Sequence, residues 1–351
     1  IVIDHHNPQE LLPQAYAIIN PKIEDTGYPF RDLAGCGVAV KVVWALLFAQ
    51  TRYHNHPVCL LNVRPANDSY ILEAALVQNL MEIDRIVETI VPGLVDLQNT
   101  RLVTFLRNRE IVVYDAPGQL RMLQTIFGNG VDIGLSDLAP EIQGFAPELA
   151  GKSLLKILEE TGIGTGRPIE DADDAEHPTA LGEIDTLVAL FARFVTESEK
   201  EFSSRFAQSL DLVAIGTLAD LMPLRNENRI LVKAGLRALS STEREGLREL
   251  LFRKNLYGKK IGTSDIGWQI SPLLNATGRL GVPDVAARLL LSKDPDEQRL
   301  LSDEILELNT KRRKLGDEAW DKVLEGARKS HEELSGKLVV VGGTDIFRGI
   351  T

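Results

Sequence analysis

Cysteine is nearly absent from this 351-residue chain, which holds two, Cys36 and Cys59. Neither sits in a CxxC or another metal-ligand spacing, and one pair is no disulfide framework, so both are expected as buried thiols. Long apolar runs are missing too: no stretch of about 18 uncharged apolar residues occurs. The first residues lack the basic-then-apolar-then-small order of a secretory signal. Neither a membrane nor export is indicated, and the cytoplasm is the default expectation. Positive charge is the third shortage. With 39 basic against 50 acidic side chains the formal charge is −11, which argues against a protein that holds nucleic acid by bulk attraction. A polyanionic substrate would have to be held locally. The candidates are Arg253, Lys254, Lys259 and Lys260 in RKNLYGKK and the KRRK run from Lys311 to Lys314, each of which also reads as a solvated face.

What is present is ordinary globular material, 44% hydrophobic and 25% charged, long enough for two or three cores. Ile1-Val2-Ile3 is a β-branched run that predicts the end of a buried strand. Gly37 to Gln50 has helical spacing. From about Pro57 to Gly162 the pattern suggests alternating strand-like and helix-like segments: strands at CLLNV, LVTFL and EIVVYD, a long amphipathic stretch from Tyr70 to Ile90, and a helix around Leu120 to Phe127. That alternation predicts a small α/β unit. Gly-Thr-Gly-Arg-Pro and the acidic Glu170 to Glu176 read as a linker, with His177 solvated inside it. Helical spacing returns at Leu210 to Met222, Ile230 to Leu239 and Val285 to Leu291. From Pro295 to Leu334 it is uninterrupted, as in a helix connecting domains. Lys337-Leu-Val-Val-Val-Gly-Gly reads as the first strand of a further domain. The fold class expected is α/β: a parallel sheet with flanking helices, an inserted small α/β domain and a long connecting helix.

Three stretches could carry chemistry. Asp4-His5-His6 follows the predicted strand directly, and in open parallel sheets ligands collect beyond the carboxyl ends of strands. One imidazole could bind a metal while the other faces an anion, with Asp4 orienting the metal-bound ring; a surface histidine pair is the competing reading. Asp220 lies in an apolar segment, DLVAIGTLADLMP, where a buried carboxylate is costly unless a cation meets it. A helix N-cap or a structural ion pair is the alternative there, and Asp211 reads as a helix cap. In LNATGRLG, a tight turn at the glycine could present the Arg279 guanidinium to a phosphate, beside Asn275, or could be structural. His54 and His56 in YHNH read as a surface turn.

Together these stretches resemble the RecJ-type single-strand-specific exonucleases of the DHH family. The likeness is carried in order by IVIDHH at 1–6, NPK with YPFRDLAGCGVA at 20–39, DLVAIGTLADLMPLRNENR at 211–229 and SPLLNATGRLG at 271–281. The resemblance implies a DHH phosphoesterase domain at 1–56 and 206–294, an inserted α/β domain at 57–205, a connecting helix at 295–336 and the start of a substrate domain at 337–351. It implies 5′ to 3′ hydrolysis of single-stranded DNA in repair and recombination, with manganese or magnesium, in two ions, as cofactor. His5 and Asp220 would be ligands, Asp4 the supporting carboxylate of His5, His6 the residue facing the scissile phosphate, and Asn275 and Arg279 the contacts to DNA. A metal-bound hydroxide would attack phosphorus, a second metal about 3.5–4 Å away stabilising the leaving oxygen. The family's remaining ligands belong upstream of DHH and are expected before Ile1. Single-strand-binding or other repair proteins are the implied protein partners.

The resemblance leaves rivals. DHH alone also admits enzymes of short oligonucleotides or cyclic dinucleotides, and an inactive scaffold binding DNA or a replication protein. Within 57–205, CLLNVR stands where an RNase H-like 3′–5′ exonuclease has a D-x-E pair, but with Asn62 and Arg64 in place of the carboxylates and Gln119 in place of another. A degenerate, non-catalytic copy is expected, with a plain α/β interaction domain as the competing reading.

Overall fold

The computed structural model describes residues 1–24, 26–163 and 182–342. The chain forms two compact units, Ile1–Trp44 with Ser204–Thr351, and Ala45–Ser203. The acidic linker predicted around Glu170 and its His177 lie outside the described residues.

In the first unit β1 (Val2–Ile3) pairs in parallel with β2 (Ile18–Ile19), with Val2 opposite Ile18 and Ile3 opposite Ile19. The expected burial of this strand is not observed: Ile1 is 78% exposed and Ile3 43%. Among the described residues β2 is the one strand paired with β1, so its β-branched side chains have too few neighbours to cover them. Helix α1 (Gly35–Phe48) follows and carries the chain toward the second unit.

The second unit is built on one sheet. Strands β3 (Val58–Ala66), β4 (Ser69–Gln78) and β5 (Met81–Ile90) form an antiparallel meander. After α2 (Leu102–Leu106) come β6 (Glu110–Val113), α3 (Ala116–Phe127) and β7 (Ser136–Asp137), and the sheet order is β5-β4-β3-β6-β7 with β3, β6 and β7 parallel. Two sequence expectations change here. The stretch Tyr70 to Ile90 is a hairpin rather than a helix-like segment. Its many helix formers are overruled by Asn79 and Leu80, both at positive φ (53° and 60°), which is the geometry of a two-residue hairpin turn. LVTFL is a short helix, with Leu102 and Phe105 turned into the core. That core runs through Leu61, Val63, Leu72, Ala74, Ile86, Val113, Leu123 and Ile126. Helices α4 (Ala139–Phe145), α5 (Leu154–Thr161) and α6 (Glu183–Ser198) complete the unit.

Helix α7 (Lys200–Ala219) returns the chain to the first unit and is followed by α8 (Asn226–Ser240) and α9 (Glu245–Arg253). Glycine allows α7 to approach α1: a Cβ on Gly216 would stand 2.5 Å from Cys36 Sγ. A single turn, α10 (Thr263–Asp265), runs through a π-helical turn at Ile266–Ile270 into α11 (Ser271–Arg279), then α12 (Pro283–Leu291) and the 39-residue α13 (Pro295–Glu333). Leu250, Leu273, Leu289, Leu301 and Ile305 tie α9, α11, α12 and the first part of α13 together. The mixed α/β class with parallel pairing and a long late helix is thus observed. The strand expected after Lys337 is not: residues 337–342 carry no strand, and Leu338 and Val340 are exposed. A β-branched run becomes a strand only where another strand's backbone meets it, and among the described residues no strand pairs with 337–342. No described helix is long and apolar enough to cross a membrane.

Of the thiols, Cys59 is buried, and burial pushes it up to about 12; Cys36 is half-buried rather than buried.

Candidate functional site

Asp4, His5 and His6 follow the carboxyl end of β1, and the chain bends at His6. Asp4 Oδ1 accepts from His6 N at 3.3 Å and lies 2.8 Å from His6 Nδ1, so a local turn makes them partners. The His5 ring packs against the His6 ring, with centroids 4.2 Å apart. The His5 side chain is 16% exposed, with Nε2 3.6 Å from Asp220 Oδ2. The carboxylate predicted to orient the His5 ring therefore meets the other imidazole. The hydrogen bond from His6 holds the exposed Asp4 carboxyl at about 2, well below its ordinary value. His5 Nδ1 is buried without a hydrogen-bond partner among the described residues. Room for the ring comes from Gly35 at the start of α1, where a Cβ would press to 3.2 Å of His5 Cδ2.

Asp220 sits one residue beyond the end of α7. It is not buried as the apolar sequence around it suggests, its side chain being 45% exposed, because the helix stops at Ala219 and lifts the carboxylate out of the apolar stripe. Leu221, next in line, has φ 54° and is exposed. A bulky residue in the left-handed region is uncommon, and such strain of about 1–3 kcal/mol gathers at functional sites. Asp211, by contrast, is no cap. Helix α7 begins at Lys200, so Asp211 lies mid-helix, 2% exposed, accepting a 2.7 Å hydrogen bond from Thr242 Oγ1 and facing Arg244 Nε at 3.5 Å. It is a structural ion pair.

Asn275 and Arg279 are not on a tight turn: LNATGR is helical throughout, and the left-handed residue is Gly281 beyond it. The two are four residues apart and share one helix face. Both line a cavity of about 230 Å³, together with Ala219 and Leu221, the neighbours of Asp220 on either side. The structure thus brings Asn275 and Arg279 close to the Asp220 turn. One lining residue has no individual place in the sequence reading: Arg312 of α13, whose only signal is the KRRK run. Of the other basic candidates, Arg253 is taken up by Glu249 and Asp303.

Among the described residues no group of three or more histidine, cysteine, aspartate or glutamate side chains could hold a metal. His5 and Asp220 are a converging pair of donors, an imidazole and a carboxylate.

The second unit handles its polar residues differently. Asn62 and Arg64, within β3, and Gln119 of α3 cluster beside a cavity of about 650 Å³. Gln119 Oε1 accepts from Val63 N at 2.7 Å and its Nε2 donates to Asn62 Oδ1 at 3.2 Å. Asn62 Nδ2 in turn faces Glu73 and Glu183, at 3.4 Å each, and Arg64 Nε lies 3.5 Å from Glu73. Burial raises the Glu183 carboxyl, against a lowering from the Asn62 hydrogen bond. His56, in the YHNH turn, faces Glu110 at 3.6 Å.

Residues 1–63 match the DHH family, N-terminal domain. The single-stranded-DNA-specific exonuclease RecJ of Bacillus subtilis is 44% identical over 119 residues, 33% of this chain and 15% of that protein. RecJ of Thermus thermophilus is 35% identical over 161 residues, 46% of this chain and 23% of that protein. The chain is similar to RecJ-type exonucleases of the DHH family. A solved structure of Thermus thermophilus RecJ in complex with Mg2+ is 34% identical, with a TM-score of 0.33, over 44% of this chain and 24% of that one. The DHH match contains the Asp4-His5-His6 triplet, whereas Asp220, Asn275 and Arg279 lie beyond it. The aligned residues span less than a quarter of the length of either curated relative.

Proposed function

We propose that this chain carries part of a metal-dependent 5′ to 3′ exonuclease of single-stranded DNA, with His5 and Asp220 as ligands of a divalent ion. The observation that carries the reading is the approach of His5 Nε2 to Asp220 Oδ2 across 215 positions of sequence, in a chain with relatives named single-stranded-DNA-specific exonucleases. The donors fit a divalent cation. His5 presents Nε2 from a half-enclosed ring, and Asp220 is an exposed carboxylate with no arginine or lysine ion pair among the described residues. A carboxylate with one imidazole suits manganese or magnesium better than a thiolate-rich set would. When bound, such an ion would neutralise charge developing on the phosphoryl oxygens, and a pair of ions, the form the resemblance implies, would do so on both sides of phosphorus.

The chain's own residues supply the rest. His5 and Asp220 fix the position at which the reacting phosphate is polarised. His6, oriented through Nδ1 by Asp4, is set to face that phosphate with its other nitrogen. Asn275 and Arg279 hold the strand, the guanidinium offering a fork of donors to phosphate oxygens. Asp220→Asn in the full chain tests the reading. Degradation of a 5′-labelled single-stranded oligonucleotide in Mn2+ should fall about a hundredfold or more, Mn2+ binding by calorimetry should weaken, and thermal melting without metal should stay unchanged. Undiminished degradation by the variant would sink the assignment.

A further inference from the structure

The cavity beside the Asp220 turn contains more than the strand contacts the sequence suggests. Its wall is formed by the end of α7, by α11 and by α13. It presents two guanidiniums, Arg279 and Arg312, with Asn275 and Ser271, and among the described residues no carboxylate lines it. Arg312 Nε donates to Asn309 Oδ1 at 3.2 Å, which fixes the plane of a half-buried guanidinium. Burial, and then the neighbouring charges of Arg313 and Arg279, lower Arg312 from the ordinary arginine value, although it stays cationic. Like charges gathered at one cavity repel, and an entering anion relieves both the repulsion and the lost hydration. Ser271 Oγ is buried without a hydrogen-bond partner among the described residues. The π-helical turn Ile266–Ile270 leads directly into this wall, contributing Gly267 to it, and such turns recur at functional sites.

We propose that Arg312 is a phosphate-binding residue, forming with Arg279 and Asn275 a subsite for one backbone phosphate of a single strand, beside the position served by His5 and Asp220. The occupant is an oxyanion with several acceptor oxygens, because the lining offers two planar forks of donors and an amide. That the oxyanion belongs to single-stranded DNA rests on the exonuclease reading.

The test is binding, measured without added metal so that cleavage plays no part. A fluorescent single-stranded oligonucleotide is titrated with the full chain, Arg312→Gln and Arg312→Lys across a range of salt. A companion oligonucleotide with an uncharged backbone serves as control. Arg312→Gln should weaken the charged strand about tenfold or more and reduce the salt slope by about 0.7, the value of one phosphate contact on a single strand. Arg312→Lys should lose less, and the uncharged strand should bind both variants as it binds the parent. Thermal melting should be unchanged in both. Parent-like affinity and slope in Arg312→Gln, or equal weakening toward the uncharged strand, would overturn the proposal. The two readings can fail separately. A chain that grips the strand through Arg312 but never cuts it removes the exonuclease reading and keeps this subsite. One that binds and cuts normally with Arg312→Gln does the reverse.

Discussion

The two units gather polar side chains beside a strand and use them differently. Within β3 of the second unit, Asn62 locks onto Gln119 of α3, which also holds the Val63 backbone, and the charges of Glu73 and Arg64 face one another, although Arg64 Nε is buried without a hydrogen-bond partner among the described residues. At the end of β1 in the first unit, His5 and Asp220 lie 3.6 Å apart, and His5 Nδ1 is buried without a hydrogen-bond partner among the described residues. Amides that hydrogen-bond each other and the backbone act structurally. An imidazole and an exposed carboxylate that converge without a hydrogen bond between them are suited to hold something from outside.

The contrast can be broken most forcefully by exchanging what each region is asked to do. Asp220→Asn should cost about a hundredfold or more in nuclease activity while leaving melting alone. Leu61→Ala, in the fully buried core of the second unit, should lower unfolding stability by about 3 kcal/mol, read by denaturant titration, with Mn2+ binding at His5 and Asp220 retained. If both variants lose stability alike, the two regions do not differ in kind.

A smaller effect sharpens the comparison inside the second unit. Asn62→Asp places a carboxylate at the centre of that unit's polar cluster. Here it removes the donor shared by Glu73 and Glu183 and sets a third acid among them, at a cost of about 1–3 kcal/mol at neutral pH. The pH dependence has a definite sign. The Glu183 carboxyl is raised by burial, so its contribution is fully present below 4.5 and lost as pH rises through the raised value. Asn62→Asp should steepen that loss, and melting followed from pH 4 to 8 would show it. A variant as stable as the parent at pH 8 would mean that the amide lock carries little.

The smallest effect belongs to Asp4, whose carboxyl is held at about 2 by His6. Its contribution is present above the ordinary carboxylate value of 3.8 and fades as pH falls toward 2. Because the pair is solvent-exposed, the change should register in an NMR titration of the Asp4 side chain more readily than in melting. A midpoint near 3.8 would show that the His6 contact is not maintained in solution.

Sequence determined whatever depends on neighbours along the chain. Helical spacing marks α8, α12 and α13 to within a few residues, and the β-branched runs mark β3 and β6. Local pattern misleads where tertiary contacts outvote it. The hairpin β4–β5 is written largely in helix formers, and Asp211 reads as a cap only while the polar first half of α7 goes unrecognised. That His5 meets Asp220, that Asp220 is lifted into solvent, and that Arg312 shares a cavity with Arg279 are decided by tertiary structure alone. Residue spacing reports which face of an element is buried, but the meeting of two faces hundreds of positions apart is set by packing: by Gly216 admitting Cys36, Gly35 leaving room for an imidazole, and α11 and α13 closing over a shared core.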